Sequence, residues 1–426
     1  MYLAKYKIIF TLLFIAFALR LTFSYFFPPI PCSANSGDIV RYYGIAISLA
    51  DGEGFSLDGK PTAYVPPAYS FILATFFKIF SPSYQIAQLI NAVLGVISCI
   101  LAYFICRKTF SERASILALC IMALSPTNII WSAMIFSENL FLPLILGVIL
   151  LWVHFIHDGD AVPKGLGKLL LSGILLGIAS LTRSQAALLS GILFVWLLYN
   201  KKSFSNALIA TLIVFFSMIF TILPWTIRNK EVFGSYVLIT TNAGLNLLQG
   251  NHPGATGMYH DPPGGYPGGD NEAEKNRLSK EMALSYIFSN PGNFIKLIPK
   301  KLFFLWCAES VFTFRHDLLT KLPHIVGYFL MGAALILYYL FFFIMPVALI
   351  KFKMLQYNSK LVLQCFKQET VILFALLFLY LSLLHAISVA GPRYNYPFYP
   401  FLIIFVSGSI DTWLKNPIYH PLAERK

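Results

Sequence analysis

Eight apolar stretches, each close to the length that crosses a lipid bilayer, dominate this sequence and restrict the folds open to it. A membrane-spanning helix needs roughly 20 apolar residues. The stretches are residues 8–27, 84–106, 114–131, 138–157, 206–226, 323–350, 369–389 and 398–414. Only 12% of the 426 residues are charged, against about 25% in soluble domains, so too little polar surface remains to cover a water-soluble globule. The sequence therefore excludes a soluble enzyme, a disordered chain and a disulfide-rich secreted module, and predicts an all-α polytopic membrane protein.

Two further apolar stretches have lengths that do not fit one crossing. As helices, residues 67–80 would be about 21 Å long and residues 168–199 about 48 Å. We interpret 67–80 as lying along the membrane surface and 168–199 as two short spans that meet at Arg183. The positive-inside rule supports this choice, since it places these basic groups in the cytoplasm: residues 107–113, Lys201 and Lys202, the loop 351–367, and the tail with Lys415, Arg425 and Lys426. This interpretation predicts about ten spans, with a range of roughly 9–12, and places both termini in the cytoplasm. The opposite choice places residues 107–113 outside.

Two long segments between spans are predicted to lie outside, within a single membrane domain of residues 1–426. They are residues 28–83 and residues 227–322. The second contains a Gly/Pro-rich stretch that is incompatible with regular structure, and loops of this length are usually lids or binding loops. We expect surface helices in both, and in the second an amphipathic pair with Lys296, Lys300 and Lys301 facing lipid headgroups. This elaborate face favours chemistry there over alternating access.

An acid, a cation and a phenol follow the first span at helical spacing. Asp38, Arg41 and Tyr42 stand at i, i+3 and i+4, so their side chains share one helical face. A carboxylate there can act as a general base that takes a proton from an attacking hydroxyl or amine. The alternative is a helix N-cap, a common place for aspartate. The spacing alone leaves both interpretations open.

Three arginines and one glutamate stand near the ends of predicted spans. An arginine at the membrane edge is costly and suggests a functional site, and guanidinium binds phosphate oxygens in a bidentate fork. We therefore predict that Arg183, Arg228 and Arg393 contact a phosphate-bearing substrate. The alternative for each is an interfacial anchor. Glu138 opens a span on the same side, where a carboxylate suits the helix N-terminus, and a supporting polar role is predicted.

A set of short motifs runs through the chain in a recognisable order. The set comprises Asp38 with Arg41 and Tyr42, ADGEGF (50–55), GKPT (59–62), PPAY (66–69), SENL (137–140), LTRS (181–184), PWTIRN (224–229) with Phe233-Gly234, NLLQGN (246–251), and GPRY (391–394) followed by Pro397 and Pro400. The set resembles the GT-C glycosyltransferases. Within them it is most similar to bacterial relatives of protein O-mannosyltransferases and of the lipid A aminoarabinose transferase.

The resemblance implies an integral-membrane glycosyltransferase with the GT-C fold, moving a hexosyl or pentosyl group from a polyprenyl-phosphate-linked donor with inversion. It implies that Asp38 is the catalytic base and that Arg41 and Tyr42 line the same cavity, and it adds Tyr394, beside Arg393, to the substrate-binding residues. The expected partners are this donor, an acceptor glycan, lipid or protein, and membrane lipids. We expect the bacterial inner membrane, with the active site on the periplasmic or extracellular face. The net charge of +13 suits headgroups or phosphate rather than nucleic acid.

The sequence departs from the nearest family members at two places. Where the aminoarabinose transferases carry a Glu-Lys pair before the two prolines, this chain has Tyr64 and Val65, so aminoarabinose is not supported as the sugar. Asp38 is followed by Ile39, whereas eukaryotic protein O-mannosyltransferases have an Asp-Glu pair. Phosphate binding must then fall to other cations.

No cofactor is predicted with certainty, and a divalent metal is optional because phosphate is already a good leaving group. His252, His260, Asp261 and Asp270 match no metal-ligand spacing and are interpreted as ordinary loop residues. Their loop is expected to cover the donor headgroup or to shape the acceptor site.

Two other functions are weighed against this one. A non-catalytic carrier or flippase for lipid-linked sugars is the main alternative, but it predicts charged mid-span residues or paired helix breaks. In the apolar runs of this chain, Arg20 and a few Ser, Thr and Asn are nearly all there is. Another lipid-phosphate transferase would need a nucleophile with a metal cluster or a His-Asp pair, and the sequence offers neither.

Overall fold

The computed structural model describes residues 2–27, 37–269, 271–307, 309–314, 318–320, 322–358 and 368–415. The start of the first predicted external segment (28–36), Asp270, the end of the predicted basic loop (359–367) and the tail beyond Lys415 lie outside the described residues.

The described chain is built almost entirely of helices. The helices are α1 (Tyr2–Phe26), α2 (Gly37–Ala50), α3 (Ala68–Phe80), α4 (Tyr84–Thr109), α5 (Glu112–Leu124), α6 (Pro126–Ala133), α7 (Glu138–His157), α8 (Val162–Ser180), α9 (Leu189–Tyr199), α10 (Phe204–Phe233), α11 (Ala243–Gly250), α12 (Glu272–Ser289), α13 (Pro291–Trp306), α14 (His324–Asn358), α15 (Gln368–Ile387) and α16 (Tyr399–Lys415). Three 3₁₀ segments cover Ser184–Leu188, Ser310–Phe314 and Pro392–Phe398. An antiparallel hairpin pairs β1 (Ser56–Leu57) with β2 (Lys60–Pro61). The prediction of an all-α polytopic protein is confirmed.

Most of the predicted spans are helices of the expected length. Among the described residues, eight helices are long and apolar enough to cross a membrane, and nine if α5 and α6, bent by 48° at their junction, form one broken span. The stretch 168–199 is broken around Arg183, as predicted, with α8 before the break and the shorter apolar segment Ser184–Tyr199 after it. Helix α3, which covers most of residues 67–80, is another short apolar helix.

Arg20 satisfies backbone carbonyls at the break between α5 and α6. Pro126 begins α6 and brings no N–H, so carbonyls at the end of α5 lose helical partners. The Arg20 guanidinium donates to the carbonyls of Met122 and Ala123, at 3.1 and 3.4 Å, and to Ala16 of its own helix at 2.9 Å. This arginine is only 1% exposed, and backbone carbonyls are the main acceptors of its guanidinium.

Helices α8 and α10 pack closely along small residues. A Cβ atom added at Gly173 would lie 2.5 Å from the Cβ of Ser217, and one added at Gly177 would lie 2.5 Å from the Cβ of Thr221. Glycine in these positions lets two apolar helices approach until their backbones are in contact. This packing fixes the end of α8, which leads to Arg183, against the neighbouring span.

Glu272 joins the two long loop segments. Its carboxylate accepts hydrogen bonds from the Thr62 hydroxyl at 2.7 Å, the Ala63 amide at 3.0 Å and the Thr241 hydroxyl at 2.9 Å. The side chain of Asn271 caps α12 by accepting from the amide of Glu274. The first and second segments therefore form one connected layer at an end of the helix bundle.

The prediction that Lys301 faces lipid headgroups is wrong. Its ammonium is fully buried and donates to Asn251 Oδ1 at 2.9 Å and to the carbonyls of Ala386 and Ile387 at 3.3 Å. Burial lowers the pKa of Lys301 to about 8. A cation at the carbonyl end of α15 is favoured by the helix dipole. Lys301 therefore links α13 to the C-terminal end of α15.

Candidate active site

Asp38 stands in the first turn of α2 and is held by two arginines. The Nη1 of Arg393 donates to Asp38 Oδ2 at 2.5 Å, and the Nη1 of Arg41 lies 3.7 Å from Oδ1. Asp38 is the second residue of α2, not the residue before the helix, and its carboxylate is engaged in ion pairs. The side chain keeps 29% of its surface exposed, so the carboxylate is open to contact from outside the cluster.

Glu138 begins α7 and is the buried centre of the same cluster. Arg183 donates to its Oε1 at 2.7 Å, and Arg393 reaches both carboxylate oxygens, through Nε to Oε1 and through Nη2 to Oε2 at 3.1 Å. The Glu138 side chain is completely buried. A buried carboxylate is stable only when it is paired and hydrogen-bonded, and the two guanidinium groups meet that need.

Arg393 bridges the two carboxylates from the 3₁₀ segment Pro392–Phe398. A guanidinium has five N–H donors in one plane, so a single side chain serves Asp38 and Glu138 at once. The Cζ atom of Arg393 lies 4.3 Å from the centroid of the Phe136 ring. This cation–π contact holds the guanidinium plane in place. With Arg41 and Arg183 the cluster has one more positive charge than negative, a balance that favours an anionic ligand.

The predicted convergence of acid, cation and phenol is only partly realised. The Arg41 guanidinium lies 4.3 Å from the Tyr64 ring and faces Asp38. Tyr42 is 3% exposed and packs edge-on against Tyr69, with ring centroids 5.4 Å apart. Burial, followed by the charge of Asp38, raises the pKa of the Tyr42 hydroxyl. Tyr42 is therefore a buried, neutral side chain in the same helix as Asp38.

Tyr394 lies beside Arg183 on the far side of the cluster. Its ring stacks on His385 with centroids 4.5 Å apart, and the Arg183 guanidinium lies 5.7 Å from its centroid. The structure thus brings together seven of the eight predicted site residues, which are Asp38, Arg41, Tyr42, Glu138, Arg183, Arg393 and Tyr394.

Arg228 is the predicted site residue that the structure does not place in the cluster. Its guanidinium donates to the carbonyls of Phe55 at 2.9 Å and Thr62 at 2.8 Å, and stacks 4.8 Å from the Trp225 ring. These two carbonyls lie on either side of the β1–β2 hairpin, so the arginine clamps the base of that hairpin. The sequence predicts Arg228 near the end of a span, where α10 places it, but it does not predict its backbone partners in the first loop segment.

Sequence reasoning missed Glu272 and Tyr64 as parts of this region. Glu272 links the residues after the hairpin to the second loop segment, and the Tyr64 ring packs against the Arg41 guanidinium. Both contacts join distant parts of the chain, and no local periodicity signals them. The sequence distinguishes Tyr64 only as a departure from the aminoarabinose transferases, which carry a charged residue there.

The donor set here does not fit a divalent metal. In the described part of the chain, no three His, Cys, Asp or Glu side chains converge as a metal site. Asp38 and Glu138 both face the Arg393 guanidinium, which fills the space where a cation would bridge them. His252 and His260 stack with centroids 5.6 Å apart, and His252 Nε2 lies 3.2 Å from the His260 carbonyl oxygen.

Comparison with known proteins gives this arrangement a context. Residues 64–225 match the sequence model of a family described as dolichyl-phosphate-mannose-protein mannosyltransferase. The apo oligosaccharyltransferase of Archaeoglobus fulgidus has a similar structure, with a TM-score of 0.56 and 12% identity over 96% of this chain and 51% of that chain. This chain has the GT-C fold. The predicted GT-C architecture is thereby confirmed, and the chain spans about half the length of that archaeal enzyme.

Two other structures resemble this chain. Archaeal oligosaccharyltransferase AglB from Archaeoglobus fulgidus, in complex with an inhibitory peptide and a dolichol-phosphate, matches with a TM-score of 0.54 and 11% identity, covering 96% of this chain and 50% of that one. ArnT from Cupriavidus metallidurans, bound to undecaprenyl phosphate, aligns with a TM-score of 0.44 and 11% identity over 95% of this chain and 78% of that one. A comparison with curated protein sequences finds no match.

Proposed function

We propose that this GT-C protein is a glycosyltransferase that moves a sugar from a polyprenyl-phosphate-linked donor to an acceptor at the outer face of the membrane. The observation that carries the proposal is Asp38, a partly exposed carboxylate held at 2.5 Å by an arginine that is itself anchored on buried Glu138. The mannosyltransferase family match over residues 64–225 and the archaeal complex that contains a dolichol-phosphate support the donor class.

Asp38 acts as the general base in the proposed reaction. It takes the proton from an acceptor hydroxyl or amine as that atom attacks the anomeric carbon. The bond from acceptor to carbon forms while the bond from carbon to phosphate oxygen breaks, and the electron pair leaves with the polyprenyl phosphate. Attack from the face opposite the leaving group inverts the anomeric centre.

The surplus positive charge stabilises the leaving phosphate. Negative charge grows on the phosphate oxygen as the glycosidic bond breaks, and preorganised cations aimed at that oxygen lower the barrier. Arg41 and Arg393 flank Asp38 and are the groups we assign to this task. Arg183, held by Glu138 beside Tyr394, is assigned to the support of Arg393.

We also propose that transfer needs no divalent metal, because the arginines already supply the positive charge at Asp38 and Glu138. Transfer is expected to persist in excess EDTA. Loss of transfer with EDTA and its recovery on adding Mg²⁺ or Mn²⁺ would contradict this part of the proposal.

The test is a transfer assay with the purified protein in nanodiscs, a panel of radiolabelled polyprenyl-phospho-hexoses and -pentoses, and native lipid and glycan acceptors. Asp38→Asn is expected to abolish transfer while polyprenyl phosphate still co-purifies, as seen by native mass spectrometry. Asp51→Asn, an exposed aspartate of the same loop segment, is the matched control and should transfer normally. Equal transfer by both variants would remove Asp38 from the mechanism. Lipid exchange between leaflets without transfer would favour the carrier.

A further inference from the structure

The turn of residues 388–391 connects α15 to the segment that carries Arg393. Helix α15 ends at Ile387. The last four carbonyls of a helix have no partner within it, so the carbonyls of Ala386 and Ile387 need donors from elsewhere. Whatever holds these two carbonyls also fixes the start of the turn, and the turn leads to the guanidinium that pairs with both carboxylates of the site.

The ammonium of Lys301 is a donor to both carbonyls. It donates to the carbonyls of Ala386 and Ile387 at 3.3 Å and to Asn251 Oδ1 at 2.9 Å, and the side chain is fully buried. An ammonium has three N–H donors, and these three oxygens use all of them. A neutral amine has two N–H donors and a lone pair, and the lone pair would face one of the oxygens. The complete set of contacts therefore requires the charged form.

The same ammonium connects the turn to the start of the Gly/Pro-rich loop. Asn251, the first residue after α11, donates to the Ile387 carbonyl at 2.8 Å while its Oδ1 accepts from Lys301. A Cβ atom at Gly250 would lie 2.5 Å from the Ser388 carbonyl oxygen, so the end of α11 is in backbone contact with the turn. The ends of α11 and α15 therefore meet helix α13 at one charge, and we name this meeting point the Lys301 junction.

The charge at the Lys301 junction is costly to the fold. Burial lowers the pKa of Lys301 to about 8, whereas lysine in an unfolded chain titrates at about 10.4. Between these two values the unfolded chain binds more protons than the folded protein, so stability rises with pH as the ammonium is lost. Among the described residues its acceptors are an amide and two carbonyls, without a carboxylate to offset burial. Stability alone therefore does not account for a lysine here, whereas a role in placing the turn does.

We propose that Lys301 is a positioning residue for sugar transfer, and that its charged ammonium fixes the turn and, through the turn, the Arg393 guanidinium at Asp38. The inference rests on the proposed function and adds to it a group outside the site. Arg393 binds carboxylates of two different helices with one planar group, so a small displacement of its backbone weakens both contacts. Loss of the Lys301 proton removes one of three hydrogen bonds and turns a lone pair toward an oxygen, which displaces the end of α15.

Other titratable groups stand on the elements packed against the Lys301 junction. They are Lys296, Lys300 and Cys307 on α13 and at its end, His252, His260 and Asp261 in the loop, His385 on α15, and Arg393 and Tyr394 after the turn. Burial is the only cause of the lowered pKa of Lys301, so none of these charges sets it. Of these residue types, only cysteine ordinarily titrates close to pH 8, at about 8.5. Cys307 is therefore the group that the test must separate from Lys301.

The test is the pH dependence of sugar transfer by the full-length protein in nanodiscs, from pH 7 to about 9.5. Wild-type kcat is expected to fall about tenfold above pH 8 with KM unchanged, the effect of losing a hydrogen bond from a charged group. Lys301→Met fills similar space without charge, so its kcat should be about tenfold lower at pH 7 and level across the range. This variant keeps Cys307, so the loss of the alkaline fall identifies Lys301. Lys296→Met, at an exposed lysine of the same helix, is the matched control and should follow wild type.

A purely structural role would move activity and stability together. The free energy of unfolding of wild type, taken relative to Lys301→Met, should instead rise from pH 8 to about 9.5 while kcat falls. Hydrogen–deuterium exchange of peptides that cover residues 388–394, corrected for the intrinsic effect of pH, should quicken at the alkaline end and in Lys301→Met. If Lys301→Met does not fold, the wild-type profile and the wild-type exchange at both ends of the range remain the test. A level wild-type kcat, or an alkaline fall that persists in Lys301→Met, would overturn the proposal.

The positioning role and the proposed function can fail separately. If no form of the protein transfers sugar but exchange at residues 388–394 quickens in Lys301→Met, the proposed function fails and the hold of the Lys301 junction on the turn stands. If transfer is measured and Lys301→Met matches wild type in kcat, pH profile and exchange, the proposed function stands and the positioning role fails.

Discussion

Neutralising Glu138 tests whether the buried carboxylate holds the arginine cluster together. Glu138 is fully buried and serves Arg183 at 2.7 Å and Arg393 at 3.1 Å. Removing one partner of a buried ion pair costs about 3–5 kcal/mol because the other charge stays buried. In Glu138→Gln, Arg393 keeps Asp38 as a partner while Arg183 loses its carboxylate. The expected loss is therefore near the lower end, about 3 kcal/mol of unfolding free energy.

The measurement is unfolding in detergent micelles, with Glu112→Gln as the matched control. Glu112 also pairs with two cations, Lys5 at 2.9 Å and Arg107 at 3.0 Å, but its side chain is 35% exposed. Exposed pairs contribute about 0–1 kcal/mol, so this control should lose less than Glu138→Gln. Equal losses would refute the reasoning that burial makes the Glu138 network costly to break.

A double variant separates the ion pair from general damage at the site. Arg183→Met removes the charge that Glu138→Gln leaves without a carboxylate. If the pair is coupled, the double variant should lose less stability than the sum of the two single losses, by about 0.5–3 kcal/mol. Additive losses would show that Arg183 finds another partner. The same variants should lower kcat for sugar transfer more than they raise KM, since they act through the position of Arg393.

Three further predictions concern groups outside this cluster. Burial raises the pKa of Glu309 from 4.5 to about 7, so the folded protein holds a proton that the unfolded chain releases; stability should fall by about 3 kcal/mol as pH rises through that window. Thermal unfolding from pH 4 to 8 measures this fall, and Glu309→Gln should flatten it. Gly244→Ala would place a Cβ 2.0 Å from a backbone oxygen of α12 and should cost about 1–3 kcal/mol, whereas Gly268→Ala, with open space around it, should leave the melting temperature unchanged. Arg228→Leu should speed hydrogen exchange across residues 55–62, because both carbonyl contacts are lost, and normal exchange there would contradict the clamp.

The spans could be predicted from the sequence because their signal is local. An apolar run of sufficient length satisfies its backbone within one helix, so length and composition determine it. The break at Arg183 followed from the same arithmetic, since 168–199 is too long for one crossing. The direction of Lys301 was predicted wrongly because amphipathic spacing assigns a face to lipid or protein without knowing what packs on it; here the end of α15 takes the ammonium.

The sequence predicted most of the residues of the site but not which of them contact one another. The residue types and their places at the ends of spans pointed to Asp38, Glu138 and Arg393 as parts of one chemistry. That Arg393 would grip both carboxylates depends on how the last two spans pack against the first loop segment, which no local pattern encodes. The same limit explains Arg228, whose partners are backbone carbonyls in another segment.

The ion pair between Asp38 and Arg393 joins residues that are 355 positions apart in the chain. During synthesis, Asp38 reaches the membrane when most of the described spans are still to be made, and Arg393 comes only with the span Pro392–Leu414. The nascent chain thus carries Asp38 long before it acquires the arginine that pairs with it. The ion pair forms only after residue 393 has been inserted, so a product that stalls before that point would hold Asp38 at the membrane without Arg393.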